Sequence, residues 1–350
     1  MAEYGAPDVY GGMGTGRGRS GVELVGTGMS YRVTAADLGR YLRIKVTATD
    51  GTPFPLEATA YSEFNGRGLG RSAPGDYDGD GMTDLWFYQD GIWRMAPSSG
   101  GVVMLEFGGP GMTAMPGDYD GDGLLDFGLY EESSGRWWVG CRDGRELAGG
   151  FIWGGPGYEA VTADYDGDGV QDIAVYGRET GLWGVLLSGS GYASGTVQFG
   201  GPGYEAVVGD YDGDGKSDPA VYGRSGDWHV LLSGSGYAWG WAQLGGVGLA
   251  PAPGDYDGDG ITDLGVYWDG GNRYWILSSA TGEVTVRSFG RVRPPAWQAG
   301  GYYDRGRNYD PGFVYQDGDF IIWIVQCGVD GSGCRAQTYE ISTERWRVSW

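Results

Sequence analysis

The chain of 350 residues carries a formal net charge of −22, which excludes binding to nucleic acid or to anionic membranes through a general electrostatic surface. It has no run of eighteen apolar residues, so we expect no membrane-spanning segment. Glycine is abundant, with 73 residues, but 15 Trp and 25 Tyr accompany it, and this combination favours many short strands joined by tight turns.

The N-terminal part of the chain differs in composition from the rest. We interpret residues 1–20 as a Gly-rich extended segment that could serve as a donor strand, and residues 21–64 as a partial immunoglobulin-like β segment. The second stretch resembles the last strands of bacterial immunoglobulin-like modules, where a corner such as Asp37, Gly39 and Tyr41 joins two strands. Because an incomplete sandwich leaves strand edges open, we expect either a longer parent chain or a strand donated from elsewhere.

Residues 65–350 contain an internal repeat of 42 to 47 residues. Each copy reads as four short runs of alternating apolar residues separated by Gly, Ser and Pro, which is typical of strands. Four strands per copy at this period is the signature of a β-propeller. We predict an all-β fold with six four-stranded blades. A seventh blade using the N-terminal strands is the alternative, since the terminal stretch RWRVSW is an unassigned strand.

Two aromatic positions recur in the copies, and one aromatic residue per repeat at a fixed phase is typical of a core between blades. The first closes the second strand: Tyr88, Tyr130, Tyr176, Tyr222, Tyr267 and Tyr315. The second lies on the third strand: Trp93, Trp137, Trp183, Trp228, Trp275 and Trp323.

An acidic loop with the pattern D-Y-D-G-D-G-x-x-D precedes the second strand of five copies. Its carboxylates stand at positions 1, 3, 5 and 9, and the glycines permit the positive φ that tight winding requires. So many hard oxygen ligands suit Ca²⁺, whereas Mg²⁺ demands a stricter octahedron and zinc would require His or Cys. The start resembles an EF-hand loop, but position 12 is not Glu and no helices flank it.

The loop is similar to the D-x-D-x-D-G-x-x-D loops of integrin α-subunit propellers. Together with the FGGPG and WGGPG stretches it resembles the FG-GAP/VCBS repeat family, over about 280 residues. That resemblance implies five structural calcium ions and the following ligands: Asp76, Asp78, Asp80 and Asp84; Asp118, Asp120, Asp122 and Asp126; Asp164, Asp166, Asp168 and Asp172; Asp210, Asp212, Asp214 and Asp218; Asp255, Asp257, Asp259 and Asp263.

A sixth, decayed copy of the loop places Tyr302 at position 1. It retains Asp304 and Asp310 and adds Arg305 and Arg307, whose charge could replace that of a cation. We predict no metal in this copy.

Calcium at these loops would contribute to the stability of the fold. A site with a Kd of about 0.1 mM in about 2 mM calcium adds roughly 1.8 kcal/mol, and five independent sites about 9 kcal/mol. That sum is comparable with the whole stability of a typical domain. Cytosolic free calcium is too low to fill such sites, so we expect an extracellular or bacterial cell-surface location.

The sequence contains none of the common catalytic signatures. His229, the single histidine, is interpreted as an exposed strand residue, and Cys141 as a buried apolar residue. Cys327 and Cys334 flank a Gly-rich turn and could form a disulfide. We therefore predict a protein that is not an enzyme.

Three functions are consistent with these observations. The first is a structural or adhesive surface protein that self-assembles through N-terminal strand exchange or binds another cell-surface protein. The second is a carbohydrate-binding lectin, suggested by Trp- and Tyr-rich stretches such as SGSGYAWGWAQ. The third is a calcium-dependent polysaccharide lyase.

Overall fold

The computed structural model of the chain is built from strands. Backbone and side chains are described for residues 75–142, 145–268, 273–288 and 309–312 and for Val325, and the backbone alone for strands outside these ranges. Within these residues the elements are β-strands and two single-turn 3-10 helices, Ser188–Ser190 and Ser233–Ser235. The prediction of an all-β fold is confirmed. No helix in the described part of the chain is long and apolar enough to cross a membrane.

The chain divides into two compact units, the first being Met1–Ser72 with Gly79–Gly81 and the second Ala73–Asp78 with Met82–Trp350. The first unit holds one antiparallel sheet with strands β1 (Glu3–Tyr4), β2 (Asp8–Met13), β3 (Ser20–Thr27), β4 (Tyr41–Thr49) and β5 (Glu57–Tyr61). β2 lies between β3 and β4, and β4 also pairs with β1 and β5. Exchange of the N-terminal segment between chains would therefore require β2 to leave two partners of its own chain.

The second unit begins with five consecutive antiparallel sheets, which are the blades of a β-propeller. Blade 1 is β6 (Leu85–Gln89), β7 (Ile92–Ala96) and β8 (Val103–Glu106). Blade 2 is β9 (Thr113–Gly117), β10 (Asp126–Glu131), β11 (Arg136–Gly140) and β12 (Glu146–Ile152). Blade 3 is β13 (Tyr158–Ala160), β14 (Ile173–Gly177), β15 (Leu182–Leu187) and β16 (Ala193–Gln198). Blade 4 is β17 (Tyr204–Ala206), β18 (Ala220–Gly223), β19 (Asp227–Leu232) and β20 (Ala238–Gln243). Blade 5 is β21 (Ala250–Pro251), β22 (Leu264–Trp268), β23 (Arg273–Leu277) and β24 (Val284–Ser288).

The predicted count of six blades, with seven as the alternative, is wrong, because the described part of the chain contains five. The last part of the chain forms a sheet of five strands instead of a sixth four-stranded blade. Its strands are β25 (Ala296–Gln298), β26 (Gly312–Asp317), β27 (Phe320–Cys327), β28 (Gly333–Glu340) and β29 (Arg345–Ser349). The unassigned terminal stretch is β29, and its pairing with β28 explains why it starts no further blade.

In blades 1 to 4 the recurring aromatic residues form the core of the blade, as predicted. In blade 3, Tyr176 pairs in register with Trp183, their rings lie 4.9 Å apart, and neither side chain is exposed to solvent. Equivalent cross-strand pairs occur in the other blades: Tyr88 with Trp93, Tyr130 with Trp137, and Tyr222 with Trp228.

The same aromatic pair explains the FGGPG and WGGPG stretches. Trp183 donates its indole N–H to the carbonyl of Phe199 at 3.0 Å, and the N–H of Gly201 donates to the Tyr176 hydroxyl at 2.8 Å. A side chain at Gly200 would meet the Tyr176 hydroxyl at 2.6 Å. The stretch therefore lets the backbone approach the aromatic pair closely and satisfies its two polar groups.

In blade 5 the predicted core tryptophan is wrong. Tyr274 is the fully buried partner of Tyr267, whereas Trp275 lies on the opposite face of β23 and packs against the core of blade 4. Because successive side chains of a strand point to opposite faces, only one of two adjacent aromatic residues can enter the core of its own blade. The side chain of Trp323 lies outside the described residues.

Candidate metal centre

In blades 2 to 5 the acidic loop leads from the first strand of the blade, or the bridge that follows it, into the second, and in blade 1 it leads into β6. In blade 3 the loop is closed at its base, because the N–H of Asp172 donates to the carbonyl of Ala163 at 2.8 Å. Gly167 and Gly169, at positions 4 and 6, have φ values of 79° and 89° and allow the chain to wind inside that closed base.

The structure brings position 1, 3 and 9 carboxylates together. One oxygen from each of the three lies within 4.8 Å of the others in loops 1, 3 and 4, which use the following residues: Asp76, Asp78 and Asp84; Asp164, Asp166 and Asp172; Asp210, Asp212 and Asp218. The position 5 carboxylates behave differently, since Asp168 and Asp214 accept hydrogen bonds from Ser188 and Ser233. Three of the four predicted ligands thus converge in these loops.

Backbone N–H groups hold the position 1 and position 9 carboxylates in place. In loop 3, Asp164 accepts hydrogen bonds from the N–H groups of Gly167 at 2.6 Å and Gly169 at 2.8 Å. Asp172 accepts from Tyr165 at 2.8 Å and from Ser188 at 2.6 Å. These neutral donors orient the oxygens without supplying the positive charge that would balance them.

A turn that follows the strand carrying the core aromatic residue completes each cage, and the sequence reasoning missed it; in blades 1, 3, 4 and 5 its backbone donor is a serine. In blade 3 the N–H of Ser188 donates to Asp172, its hydroxyl donates to Asp168, and the N–H of Gly189 donates to Asp166. Backbone donors at equivalent turns reach the position 9 carboxylate in the other blades: Ser98, Arg142, Ser233 and Ser279. The SGSG stretch that recurs in blades 3 and 4 could have indicated this turn from the sequence.

Two carboxylate oxygens inside the cages have no hydrogen-bond partner. Asp166 Oδ1 in loop 3 and Asp212 Oδ1 in loop 4 are buried and unpaired, although the other oxygen of each accepts a backbone N–H. Leaving a buried acceptor unsatisfied costs about 1–3 kcal/mol, and more when the group is charged. An oxygen-seeking cation between positions 1, 3 and 9 would satisfy both oxygens, so the residues present fit Ca²⁺.

Burial of these carboxylates works against their charge. Desolvation raises the pKa of Asp84 and of Asp126 to about 6, and it also raises the pKa of Asp172 and of Asp218. At pH above 7, holding one such group ionised without a cation costs the folded state about 3 kcal/mol. A bound divalent cation would offset this cost in every loop.

Loop 2 differs from the others in its surroundings. Arg145 forms an ion pair of 2.7 Å with Asp120, and the thiol of Cys141 donates to the same oxygen at 3.3 Å. Cys141 is buried, as predicted, and desolvation and Asp120 raise its pKa to about 12. Because Arg145 competes for a predicted ligand, we expect loop 2 to bind calcium more weakly than loops 3 and 4.

Backbone hydrogen bonds connect each acidic loop to the next one. Position 8 of one loop donates its N–H to the carbonyl of position 1 in the preceding loop, at distances between 2.6 and 2.8 Å. The donor and acceptor pairs are Leu125 to Asp76, Gln171 to Asp118, Ser217 to Asp164, Thr262 to Asp210, and Tyr309 to Asp255. The loops therefore form a continuous chain from blade 1 to the decayed copy.

The decayed sixth copy keeps this connection while its metal ligands are altered. Tyr309 makes the bond to loop 5, and Asp310, at position 9, is buried. Asp304, Arg305 and Arg307 lie outside the described residues. The pairing of Cys327 with Cys334 also lies outside the described side chains.

His229 is not the exposed strand residue that was predicted. Its ring is half-buried, and its nitrogens contact Asp227 at 3.0 Å and Trp239 at 3.3 Å. A histidine beside an acidic residue and near two tryptophans was the signal in the sequence.

Comparison with known proteins concerns the fold. No protein-family model matches the chain. No curated protein matches it either. Among solved structures, it is similar to a streptogramin B lyase at 15% identity, with a TM-score of 0.47 over 73% of this chain and 79% of that one. An Agrocybe aegerita lectin that recognises non-reducing terminal N-acetylglucosamine is 13% identical, with a TM-score of 0.45 over 95% and 90% of the two chains. The dihydro-heme d1 dehydrogenase NirN is 13% identical, with a TM-score of 0.40 over 87% and 70%.

No residue role or activity is transferred at these identities. The resemblance to the FG-GAP/VCBS family stays a prediction, while the β-propeller fold is shown. The prediction that the chain is not an enzyme is wrong. The solved structures similar to the chain include a lyase and a dehydrogenase. A missing catalytic motif does not exclude catalysis on this fold.

Proposed function

We propose that the chain is an extracellular calcium-binding surface protein whose propeller is stabilised by five structural Ca²⁺ ions and serves a structural or adhesive role. The observation that carries the calcium role is the pair of buried, unpaired oxygens, Asp166 Oδ1 and Asp212 Oδ1, inside cages of three converging carboxylates.

The residues that would hold the ion are the aspartates of each loop. Positions 1, 3 and 9 converge in loops 1, 3 and 4. Calcium would supply the positive charge that the backbone donors lack and join the start of the second strand to the loop before it. The serine turn, fixed by Ser188 in blade 3, would then be held through the same carboxylates. In blade 3 the ion would thus connect the start of the second strand to the turn between the third and fourth strands.

The chain of hydrogen bonds between loops supports a role of calcium in the propeller as a whole. Thr262 of loop 5 donates to the carbonyl of Asp210, a predicted ligand of loop 4, at 2.6 Å. Ordering one loop therefore fixes the acceptor used by the next. Five bound divalent ions would also reduce the net charge from −22 to −12.

An extracellular location follows from the affinity that such loops have. Extracellular calcium modules bind with a Kd of about 0.1–1 mM, which only extracellular calcium would fill. An adhesive role, by self-association or by binding another surface protein, accords with a rigid scaffold that presents many blade edges. Strand exchange through the N-terminal segment would be one route to self-association.

Thermal unfolding tests the calcium role. With millimolar calcium we expect the midpoint to rise by at least 10 °C over the value with excess chelator, while equal magnesium gives a much smaller rise. A midpoint that is the same in calcium and chelator would overturn the proposal. Sedimentation velocity in calcium tests self-association, which a single monomeric species at all concentrations would contradict.

A further inference from the structure

Blades 3 and 4 contain nearly identical hairpins that differ on one face. Residues 182–198 and 227–243 match at all but five of 17 positions. Four of the five differences introduce polar or aromatic side chains into blade 4: Leu182 becomes Asp227, Gly184 becomes His229, Ser194 becomes Trp239 and Thr196 becomes Trp241. His229 pairs in register with Trp241, so all four new side chains lie on the same face of the sheet.

His229 supports the ring of Trp239. The two rings are stacked, with centroids 5.7 Å apart and an angle of 15° between their planes. Trp239 donates its indole N–H to Nδ1 of His229 at 3.3 Å, which leaves the histidine proton on Nε2. The stack fixes one face of the indole and leaves the other face open.

Asp227 joins the histidine to a tyrosine and a serine. Its Oδ2 accepts hydrogen bonds from His229 Nε2 at 3.0 Å and from the hydroxyl of Tyr204 at 2.9 Å, while Ser225 donates to Oδ1. Ser225 first, and then Tyr204 and His229, hold the pKa of Asp227 below its ordinary value. The carboxylate thus stays ionised, and the Tyr204 hydroxyl keeps acceptor lone pairs for a further donor.

The two tryptophans are exposed above this network. Trp239 is 61% exposed and Trp241 is 64% exposed. They stand two residues apart on β20, so their side chains are about 7 Å apart along the strand. Two large indoles held in the open over hydrogen-bonded polar groups cost solubility without serving the core of the blade.

We propose that Trp239, Trp241, His229, Asp227 and Tyr204 form a binding site for a neutral carbohydrate. A pyranose has an apolar C–H face, which suits the open face of an indole, and a rim of hydroxyl groups. The polar partners of such a rim are Asp227 and the Tyr204 hydroxyl, which lie beside the stacked rings. The sugar would pack its apolar face on an indole and form hydrogen bonds with the polar groups beside it. A mainly apolar surface with a few polar groups is the usual composition of a small-ligand site.

The arrangement favours a sugar over an organic cation. An ammonium site encloses its ligand in several aromatic faces, whereas the two indoles project from the same face of a single strand. The site goes beyond the calcium role, since none of its residues is a loop carboxylate.

Binding to a glycan array in millimolar calcium, followed by calorimetry with the best-bound saccharide, tests the site. The variant Trp239→Ser with Trp241→Thr carries the residues that blade 3 has at these positions, so the hairpin should fold. We expect the unmodified protein to bind at least one neutral saccharide and this variant to bind it at least about tenfold more weakly. The control is Val284→Ser with Val286→Thr, which alters the equivalent positions of β24, 51% and 52% exposed, and should bind within about twofold of the unmodified protein.

Several results would overturn the proposal. They are an array without any bound neutral saccharide, equal binding by the tryptophan variant, and binding of tetramethylammonium in place of sugar. A change in sedimentation mass caused by the tryptophan variant would instead assign the patch to contact between copies. If that variant fails to fold, acrylamide quenching of the unmodified protein gives a second test, because the bound saccharide should shield the exposed indoles and reduce quenching. Quenching that the saccharide leaves unchanged would contradict the site.

Discussion

Replacing Asp166 by Asn should have opposite effects on stability with and without calcium. Asp166 Oδ1 is buried without a partner, while Oδ2 accepts the N–H of Gly189 at 3.1 Å. Asparagine keeps an oxygen for Gly189 and replaces the unpaired oxygen with an amide that can donate to Asp164 or Asp172. The substitution therefore removes a repulsive charge from the calcium-free loop and a ligand from the calcium-bound one.

The magnitudes follow from the geometry of the cage. Two carboxylates whose oxygens lie within 4.8 Å repel by about 3 kcal/mol at an effective dielectric constant of about 20. Solvation and relaxation of the loop reduce this repulsion, so we expect Asp166→Asn to stabilise the calcium-free protein by about 1–2 kcal/mol. In about 2 mM calcium, loss of the site removes about 1.8 kcal/mol of binding energy, and the variant should become the less stable protein.

Urea unfolding followed by tryptophan fluorescence measures both effects. Where the calcium-free protein is too unstable for a baseline, a series of free calcium concentrations gives the same crossing of the two stability curves. The control is Asp90→Asn, which removes one charge from an exposed turn outside the acidic loops and suits the φ of 50° at that position. An Asp166→Asn effect of the same sign and size in calcium and in chelator would refute a metal role for this oxygen.

Three further predictions concern pH and packing. In chelator, the free energy of unfolding should rise as the pH falls from about 8 to about 5, because Asp84 and Asp126, with folded-state pKa values of about 6, take up protons at a pH where the unfolded chain does not. In calcium the trend should reverse, since protons compete with the ion, and equal pH profiles in the two media would contradict this. Gly254→Ala should lower stability by about 1–3 kcal/mol, because its Cβ would lie 2.5 Å from the ring of Tyr309, and an unchanged urea midpoint would contradict the contact between loop 5 and the decayed copy. Trp183→Phe should cost about 1–3 kcal/mol in the same assay, because it leaves the carbonyl of Phe199 without its indole donor, and a neutral effect would show that this bond contributes nothing.

Features set by local pattern were predictable from the sequence. The strands of blade 3 follow from alternating apolar residues between turn residues, and the loop carboxylates follow from their spacing. That spacing agrees with the convergence of three carboxylates in loop 3, Asp164, Asp166 and Asp172. In a short closed loop, three side chains on the inner side must lie close together. The choice between Tyr274 and Trp275 was not predictable by the same means. Both are aromatic and adjacent, and only the register of β23 against β22 decides which one enters the core.

Contacts between segments that are far apart in the sequence were also not predictable. The serine turn of blade 3 meets its loop across more than fifteen residues, so spacing within the loop says nothing of Ser188. His229 was taken as exposed because Trp239, which stacks on its ring, reaches it only after β19 and β20 pair. The predicted number of blades was wrong because β29 pairs with a strand of an existing sheet. The period of the repeat gives no information about such strand pairing.

Counting the bound ions tests the central claim most directly. Native mass spectrometry of the protein in calcium, repeated after addition of chelator and repeated with Asp166→Asn, gives the stoichiometry without reference to stability. We predict five calcium ions for the unmodified protein, four for the variant, and none after chelation. A protein that carries no calcium under these conditions, or a variant that keeps all five ions, would contradict the assignment of the acidic loops as metal sites.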